Sequence, residues 1–410
     1  MASKITCLVT LHGIGFEQPP LVVNEVEVAN SGYADPLHQH LYKYLGTMLS
    51  DDPNRDKNRN QPGDNGPIYV QSHYRDAQGQ PSREEGLKRL GAWCDNKQHI
   101  DTKDAPLVAQ NANDGSISHV ALVYSNLEST KSEVGATLLT LESTLTSSSH
   151  YGSVMGLLHM AVTDGLAMIG HHATQDQQPT SSRPRIDLVS RSTKLLGLHG
   201  QAATAPPPGV LAALRNLEDD VACYVCHNDE RERVRSFVFE ALIRLAYRDD
   251  VENILLNTHS NGTVVAFDVL RNLPQEVTHK IKTFVTAGSP LRKYVDLFHW
   301  GDKIESLYLF EPWYNFWDRS DPVADPLNPP IPWHVGDAIV PSNETLFNCV
   351  DLDSEQPFWI KVNDIPVDNV KNSHGGGLQA HNYWDNEEDF VKQLAILLRE
   401  IAADPMVRAA

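Results

Sequence analysis

Nine residues, Asn257–Val265, read N-T-H-S-N-G-T-V-V and set a serine between a histidine and an asparagine. The run follows an apolar stretch, V-E-N-I-L-L, and precedes helical apolar spacing, so Ser260 stands at a strand–turn–helix junction. At such a junction a side chain points out above the strand ends. The following helix aims its N-terminal N–H groups at the same place. A serine there can attack a carbonyl while nearby N–H groups hold the developing oxyanion. The turn also brings the backbone close to itself, so short residues flank it. Gly262 meets that need, whereas Thr258 stands where the pattern G-x-S-x-G has its first glycine. The competing reading is structural: serine is a favoured N-cap, and Ser260 could simply cap the helix from Gly262.

A serine nucleophile needs a base and a carboxylate that orients the base. In this architecture both come later in the chain, acid before histidine, on loops at strand ends. The segment W-Y-N-F-W-D-R-S-D-P-V-A, Trp313 to Ala324, offers Asp321, with Asp318 and Asp325 as alternatives. The segment S-H-G-G-G-L-Q-A-H-N-Y-W-D, Ser373 to Asp385, offers His381 just ahead of the last helix. His374 is its rival, but three glycines follow it and leave its loop less fixed. Near the start, an apolar strand runs into His12-Gly13-Ile14-Gly15, a turn able to present a backbone N–H, from Ile14 or a neighbour, to an oxyanion. Asn261 would supply the second N–H. His12 is expected to hydrogen-bond the loop backbone. His259 is expected to pack or to line a pocket, because neighbours on a sharp turn point apart. Gly13, Trp313 and Trp317 complete the pocket candidates, although such aromatics are equally at home in a core.

These residues need a scaffold, and the chain spells one out. Strands are expected at Ile5–Leu11, Ile68–His73, His119–Tyr124, Val251–Asn257, Ile281–Thr286, Ile304–Phe310, Thr345–Val350 and Phe358–Val362. Helices are expected at Asp35–Leu49, Arg83–Trp93, Leu211–Tyr224, Glu230–Tyr247, Gly262–Leu270 and Asp385–Ala402. Strand alternating with helix implies a mostly parallel sheet covered on both faces. Ser125 to Gly209 breaks the pattern: it is rich in Ser, Thr, Gly and His and ends in A-P-P-P-G. Helical spacing at Val134–Leu145 and Val154–Ile169 makes it an inserted helical cap on a core formed by 1–124 and 210–410.

The 410 residues carry 34 basic and 53 acidic side chains, a formal net charge of −19, which argues against non-specific nucleic-acid binding or adsorption to an anionic membrane. The run Val154–Gly170 is broken by His159, Thr163 and Asp164 and is too short and polar to span a bilayer. Five cysteines, an odd and sparse set, argue against a disulfide framework, and no signal-peptide pattern opens the chain, so a cytoplasmic protein is expected. Cys223-Tyr224-Val225-Cys226-His227 matches a haem-attachment pattern, but within a helical segment and without an export signal it reads as packing. A zinc site there lacks a second ligand pair, and His171-His172 lacks a third ligand. No metal or cofactor is expected.

Four pieces together carry a likeness: L-V-T-L-H-G-I-G near the start, N-T-H-S-N-G at the junction, T-A-G-S-P-L after the next strand, and A-H-N-Y-W-D before the final helix. In order and strand context the chain resembles an α/β-hydrolase of the lipase and esterase type. The resemblance implies an α/β-hydrolase fold with a cap over the site. It implies Ser260 as nucleophile, Asp321 as acid, His381 as base, and the N–H groups of Ile14 and Asn261 as the oxyanion hole. The expected activity is hydrolysis of a small-molecule carboxylic ester through an acyl-enzyme. The alternatives are a lipase, the same machinery on amides, lactones or thioesters, and a non-catalytic binding module on the same fold.

Overall fold

A computed structural model describes residues 4–13, 33–45, 66–72, 82–94, 99–107, 115–124, 228–291, 312–319, 321, 323–328, 347–351, 358–372 and 379–403, together with short stretches at 21–23, 26–28, 110–112, 333–335 and 338–340 and position 78. The core is a sheet of seven parallel strands: β1 (Ile5–Leu11), β2 (Ile68–Gln71), β3 (Gly115–Val123), β4 (Val251–His259), β5 (Ile281–Ala287), β6 (Trp313–Asp318) and β7 (Asn363–Val367). Across the sheet they run β7-β6-β5-β4-β1-β3-β2, and a short strand, Gln110–Ala112, adds antiparallel to β3. The protein is therefore an α/β fold with a mostly parallel central sheet.

The inner strands are buried on both faces, which is why they are apolar nearly throughout. Alternation still sorts them. Cys7, Val9, Leu11, Ile254, Leu256 and Phe284 face one layer, while Leu8, Leu255, Val285 and Phe316 face the other. Over the first face lie α2 (Asn228–Ala246) and α3 (Asn261–Leu270), contributing Val238, Leu242, Val264 and Phe267. Over the second lie α1 (Ala34–Leu45) and α4 (Lys392–Ala403), contributing Leu37, Leu41, Leu394 and Leu398. These residues recur every three or four positions, the spacing that turns one helix stripe inward.

The topology has one reversal. From β1 the chain crosses to β2 at the far edge and returns inward to β3 beside β1; from β4 it builds outward through β5, β6 and β7 on the other side. The adjacent ends of β1 and β4, in register at Leu11 and Thr258, form a topological switch point, where open α/β sheets leave a crevice for ligands. Gly13 and Ser260 follow directly on those two ends.

Three expectations need correction. The aromatic run from Trp313 is a strand, β6, and not a loop following one; Ile304–Phe310 lies outside the described residues. Arg83–Trp93 is not one helix: Arg83–Leu87 is helical, Lys88–Leu90 tightens to a 3₁₀ turn, Gly91 takes φ 101° and Trp93 enters a short strand. Asn348–Asp351 and Phe358–Lys361 pair antiparallel as a hairpin apart from the main sheet, whose edge is instead β7. The cap assigned to 125–209, the helix Leu211–Tyr224 and Cys223–His227 also lie outside the described residues. No described helix is long and apolar enough to cross a membrane.

Candidate active site

Ser260 sits between the end of β4 and the first residue of α3 with φ 53° and ψ −132°. It is the one described non-glycine residue with positive φ, a conformation that costs on the order of 1–3 kcal/mol. Capping does not account for it, because an N-cap takes extended angles and accepts a helix N–H, and Ser260 makes no side-chain cap bond. Neighbours impose the turn. Its N–H donates to Ala287 O at 2.9 Å, across the end of β5. Its carbonyl accepts the Thr263 N–H at 3.0 Å and the Thr263 hydroxyl at 2.7 Å.

The close approach foreseen for Gly262 is present: a Cβ there would run into the carbonyl oxygens of His12 and Leu11. Gly13 is held to the same standard from the other side. A Cβ on it would overlap the Ser260 Cβ and lie 2.9 Å from its Oγ. The backbone after β1 thus lies directly against the serine hydroxyl. Thr258, the departure from the glycine pattern, is buried and donates its hydroxyl to Val285 O at 2.9 Å, so its side chain finds room over β5.

Asp321 and His381, 60 residues apart in sequence, meet with Nδ1 2.7 Å from Oδ2, and both are buried. A carboxylate can only accept here, so Nδ1 carries the proton and Nε2 is the nitrogen that can act as a base. Asp321 Oδ1 accepts the Val323 N–H at 2.9 Å, and its Oδ2 also accepts the Tyr383 hydroxyl at 2.9 Å. Of the two alternatives, Asp318 is committed elsewhere, its Oδ2 accepting the Asn369 N–H at 2.5 Å, while Asp325 is fully buried with its backbone N–H on Ser289 O.

Two contacts connect this pair to the serine. The Ala287 carbonyl that anchors Ser260 N–H belongs to the residue before Gly288, and a Cβ on Gly288 would lie 2.7 Å from His381 Cε1. His259, next to the serine, is 3.0 Å through Nε2 from the His381 carbonyl, with ring centroids 4.5 Å apart. His259 also stacks on Tyr33 at 4.9 Å and meets Trp384 edge-on at 5.2 Å. Burial, with the His381 charge second, pushes its pKa well below 6.5, so its ring is neutral and its Nε2–H donates to that carbonyl. It packs against His381, the histidine expected to act as base.

His12 keeps to the loop backbone. Nδ1 donates to Gly13 O, Nε2 accepts the Tyr124 N–H at 3.1 Å, and the ring stacks on Tyr124 at 4.3 Å. Burial lowers its pKa to about 4, in keeping with a neutral ring whose two nitrogens play opposite roles. Asn261 is buried as the first residue of α3. Ile14 and His374 lie outside the described residues.

Trp313 is not a pocket wall. It is fully buried at the start of β6, the opposite end from the site, against Phe267, Phe284 and Phe347. Trp317, near the other end of that strand, is half-buried. Sequence reasoning passed over Tyr33, Tyr383 and Trp384. The last two stand in the quoted run A-H-N-Y-W-D, where two aromatics beside a candidate base were the available signal. Among the described residues no group of three or more His, Cys, Asp and Glu is placed to hold a metal ion. No protein-family model, curated protein or solved structure matches this chain.

Proposed function

We propose that the chain is a serine carboxylic ester hydrolase on an α/β-hydrolase fold, with Ser260 as nucleophile, His381 as base and Asp321 as the carboxylate that orients it. The observation that carries this reading is the positive φ of Ser260 at the switch point of the sheet, beside a buried Asp–His pair. Strain of this kind collects where a side chain must be presented rather than packed. His381 takes the Ser260 proton as the hydroxyl attacks the ester carbonyl. Asp321 keeps Nδ1 protonated and stabilises the imidazolium. The Asn261 N–H, at the start of α3, and the Ile14 N–H that the resemblance implies receive the oxyanion. The alcohol leaves with the proton from His381, and water activated by the same ring releases the acid.

The four arms of this machinery draw on β1, β4, the turn after β6 and the segment before α4, which makes a non-catalytic binding module the weaker reading. Nothing in the mechanism calls for a cofactor. The test is hydrolysis of p-nitrophenyl esters of graded acyl length. Ser260→Ala is expected to lose about 10⁴-fold or more in kcat across the series. Wild-type rates in that variant would refute the assignment. The same series separates an esterase from a lipase, which gains rate with long acyl chains above their solubility limit.

A further inference from the structure

We propose that Tyr383 is a positioning residue for the reaction: by sharing Asp321 Oδ2 with His381, it sets how tightly the carboxylate holds the protonated base. The inference rests on the Ser260–His381–Asp321 reading above. Its basis is a count of protons. The Tyr383 hydroxyl has one hydrogen to give. The Asp318 N–H, 2.9 Å away, occupies it as an acceptor, so its own hydrogen goes to Asp321 Oδ2 at 2.9 Å. That oxygen is also the partner of His381 Nδ1 at 2.7 Å. The phenol is fully buried, and burial, then the charges of Asp321 and Asp318, hold its pKa well above 10. It therefore stays a donor over any working pH.

The geometry leaves Tyr383 little freedom. Its ring lies edge-on to Phe390 at 6.1 Å, and the site of a Gly288 Cβ is 2.9 Å from its Cε2. A donor on a carboxylate spreads the negative charge and weakens the pull on a second partner. Tyr383 thus fixes Asp321 in place and also moderates its attraction for the imidazolium. Among the described residues, the titratable groups facing His381 include Asp321 from the turn after β6, His259 from the end of β4 and Tyr383 from its own segment, with Asp318 behind the phenol. His259 is neutral, so the balance lies between the carboxylate and the phenol.

The experiment is the pH profile of kcat/KM for wild type, Tyr383→Phe and a protein with 3-fluorotyrosine placed at 383. Tyr383→Phe returns the full carboxylate charge to the imidazolium. Its acid limb should move to higher pH by about half a unit to one unit. Fluorotyrosine is a stronger donor of unchanged shape and should move the limb the other way. It also serves if the phenylalanine variant does not fold. A purely structural tyrosine would lower the rate at all pH values and leave both limbs in place, which overturns the proposal. The proton between His381 and Asp321, followed by NMR, gives a readout independent of turnover. It should move downfield in Tyr383→Phe, and an unmoved resonance also counts against the idea. If Ser260→Ala keeps its activity the triad reading fails, whereas unmoved limbs beside an inactive Ser260→Ala sink only the role of Tyr383.

Discussion

Asp318 and Asp321 stand three residues apart, both buried, and do different work. Asp318, at the end of β6, accepts the Asn369 N–H and so ties the sheet to the short helix Asn369–Asn372. Asn369 in turn reaches Ala380 O at 2.7 Å and accepts from Asn386 Nδ2 at 2.9 Å, bracing the segment that carries His381. Asp321 is the carboxylate on the imidazole. The two should separate by assay. Asp321→Asn is expected to keep the fold and lose roughly 10⁴-fold in kcat, because an amide no longer dictates the His381 tautomer. Asp318→Ala leaves a buried N–H without its acceptor and should cost about 1–3 kcal/mol of stability. Thermal melts and kinetics on both variants check this; a reversed pattern would make Asp318 the acid. The sequence favours Asp321 without excluding the other two aspartates, because all three share one short segment, and the hydrogen bond of Asp321 N–H on Asp318 O helps decide which carboxylate faces His381.

Among elements, the segment before α4 is the one that must be held, and α1 holds it. His40 bridges Asp385 at 3.0 Å and Glu387 at 2.8 Å, Lys43 reaches Glu387 at 2.5 Å, and the Tyr44 hydroxyl reaches its other oxygen at 2.9 Å. Glu387 opens a π-helical turn, Glu387–Val391, in which Val391 N–H reaches back to Asn386 O. The Lys43 hydrogen bond first, then that of Tyr44, brings the Glu387 pKa from 4.5 down to about 2 against some burial. A depressed carboxylate contributes stability above its ordinary value and loses it as pH falls through the folded one, here between 4.5 and about 2. Glu387→Gln should thus lower stability at neutral pH by about 1 kcal/mol, allowing for solvent screening. The melting curves of variant and wild type should converge as pH falls below 4.5. A constant gap from neutral pH to the acid end would contradict this. His40 runs the other way: its pKa is raised, chiefly by Asp385, so its contribution is present below 6.5 and fades as pH rises through the folded value. None of this was legible in the chain, because the partners are some 340 positions apart and no local spacing marks them.

For the whole molecule, the strands most easily read were those buried on both faces. V-E-N-I-L-L and I-T-C-L-V-T-L are apolar enough to announce themselves without alternation. β7, N-D-I-P-V, is not among the strands expected from the sequence, and its Pro366 is a residue that inner strands exclude. It is tolerated because β7 is an edge strand, paired on one side with β6. β6 was mistaken for a loop because it runs at its last residue, Asp318, into the polar sequence D-R-S-D-P, and the whole segment was read as one loop. Trp313 shows the cost of that misreading. It fills the core under α3, and Trp313→Ala should cost about 3–5 kcal/mol while leaving KM for a soluble ester unchanged at temperatures where the variant is folded. A KM shift without loss of stability would put that indole back in a substrate pocket. What the chain did disclose was the order of chemical parts along it. What it withheld was the sheet order that brings the ends of β1 and β4 side by side.

The most direct measurement is mass spectrometry of the intact protein after exposure to a serine-directed p-nitrophenyl phosphonate. One adduct is predicted, on the peptide containing Ser260, forming orders of magnitude more slowly in Asp321→Asn. A folded protein that takes up no phosphonate, or takes it up at another residue, contradicts the account.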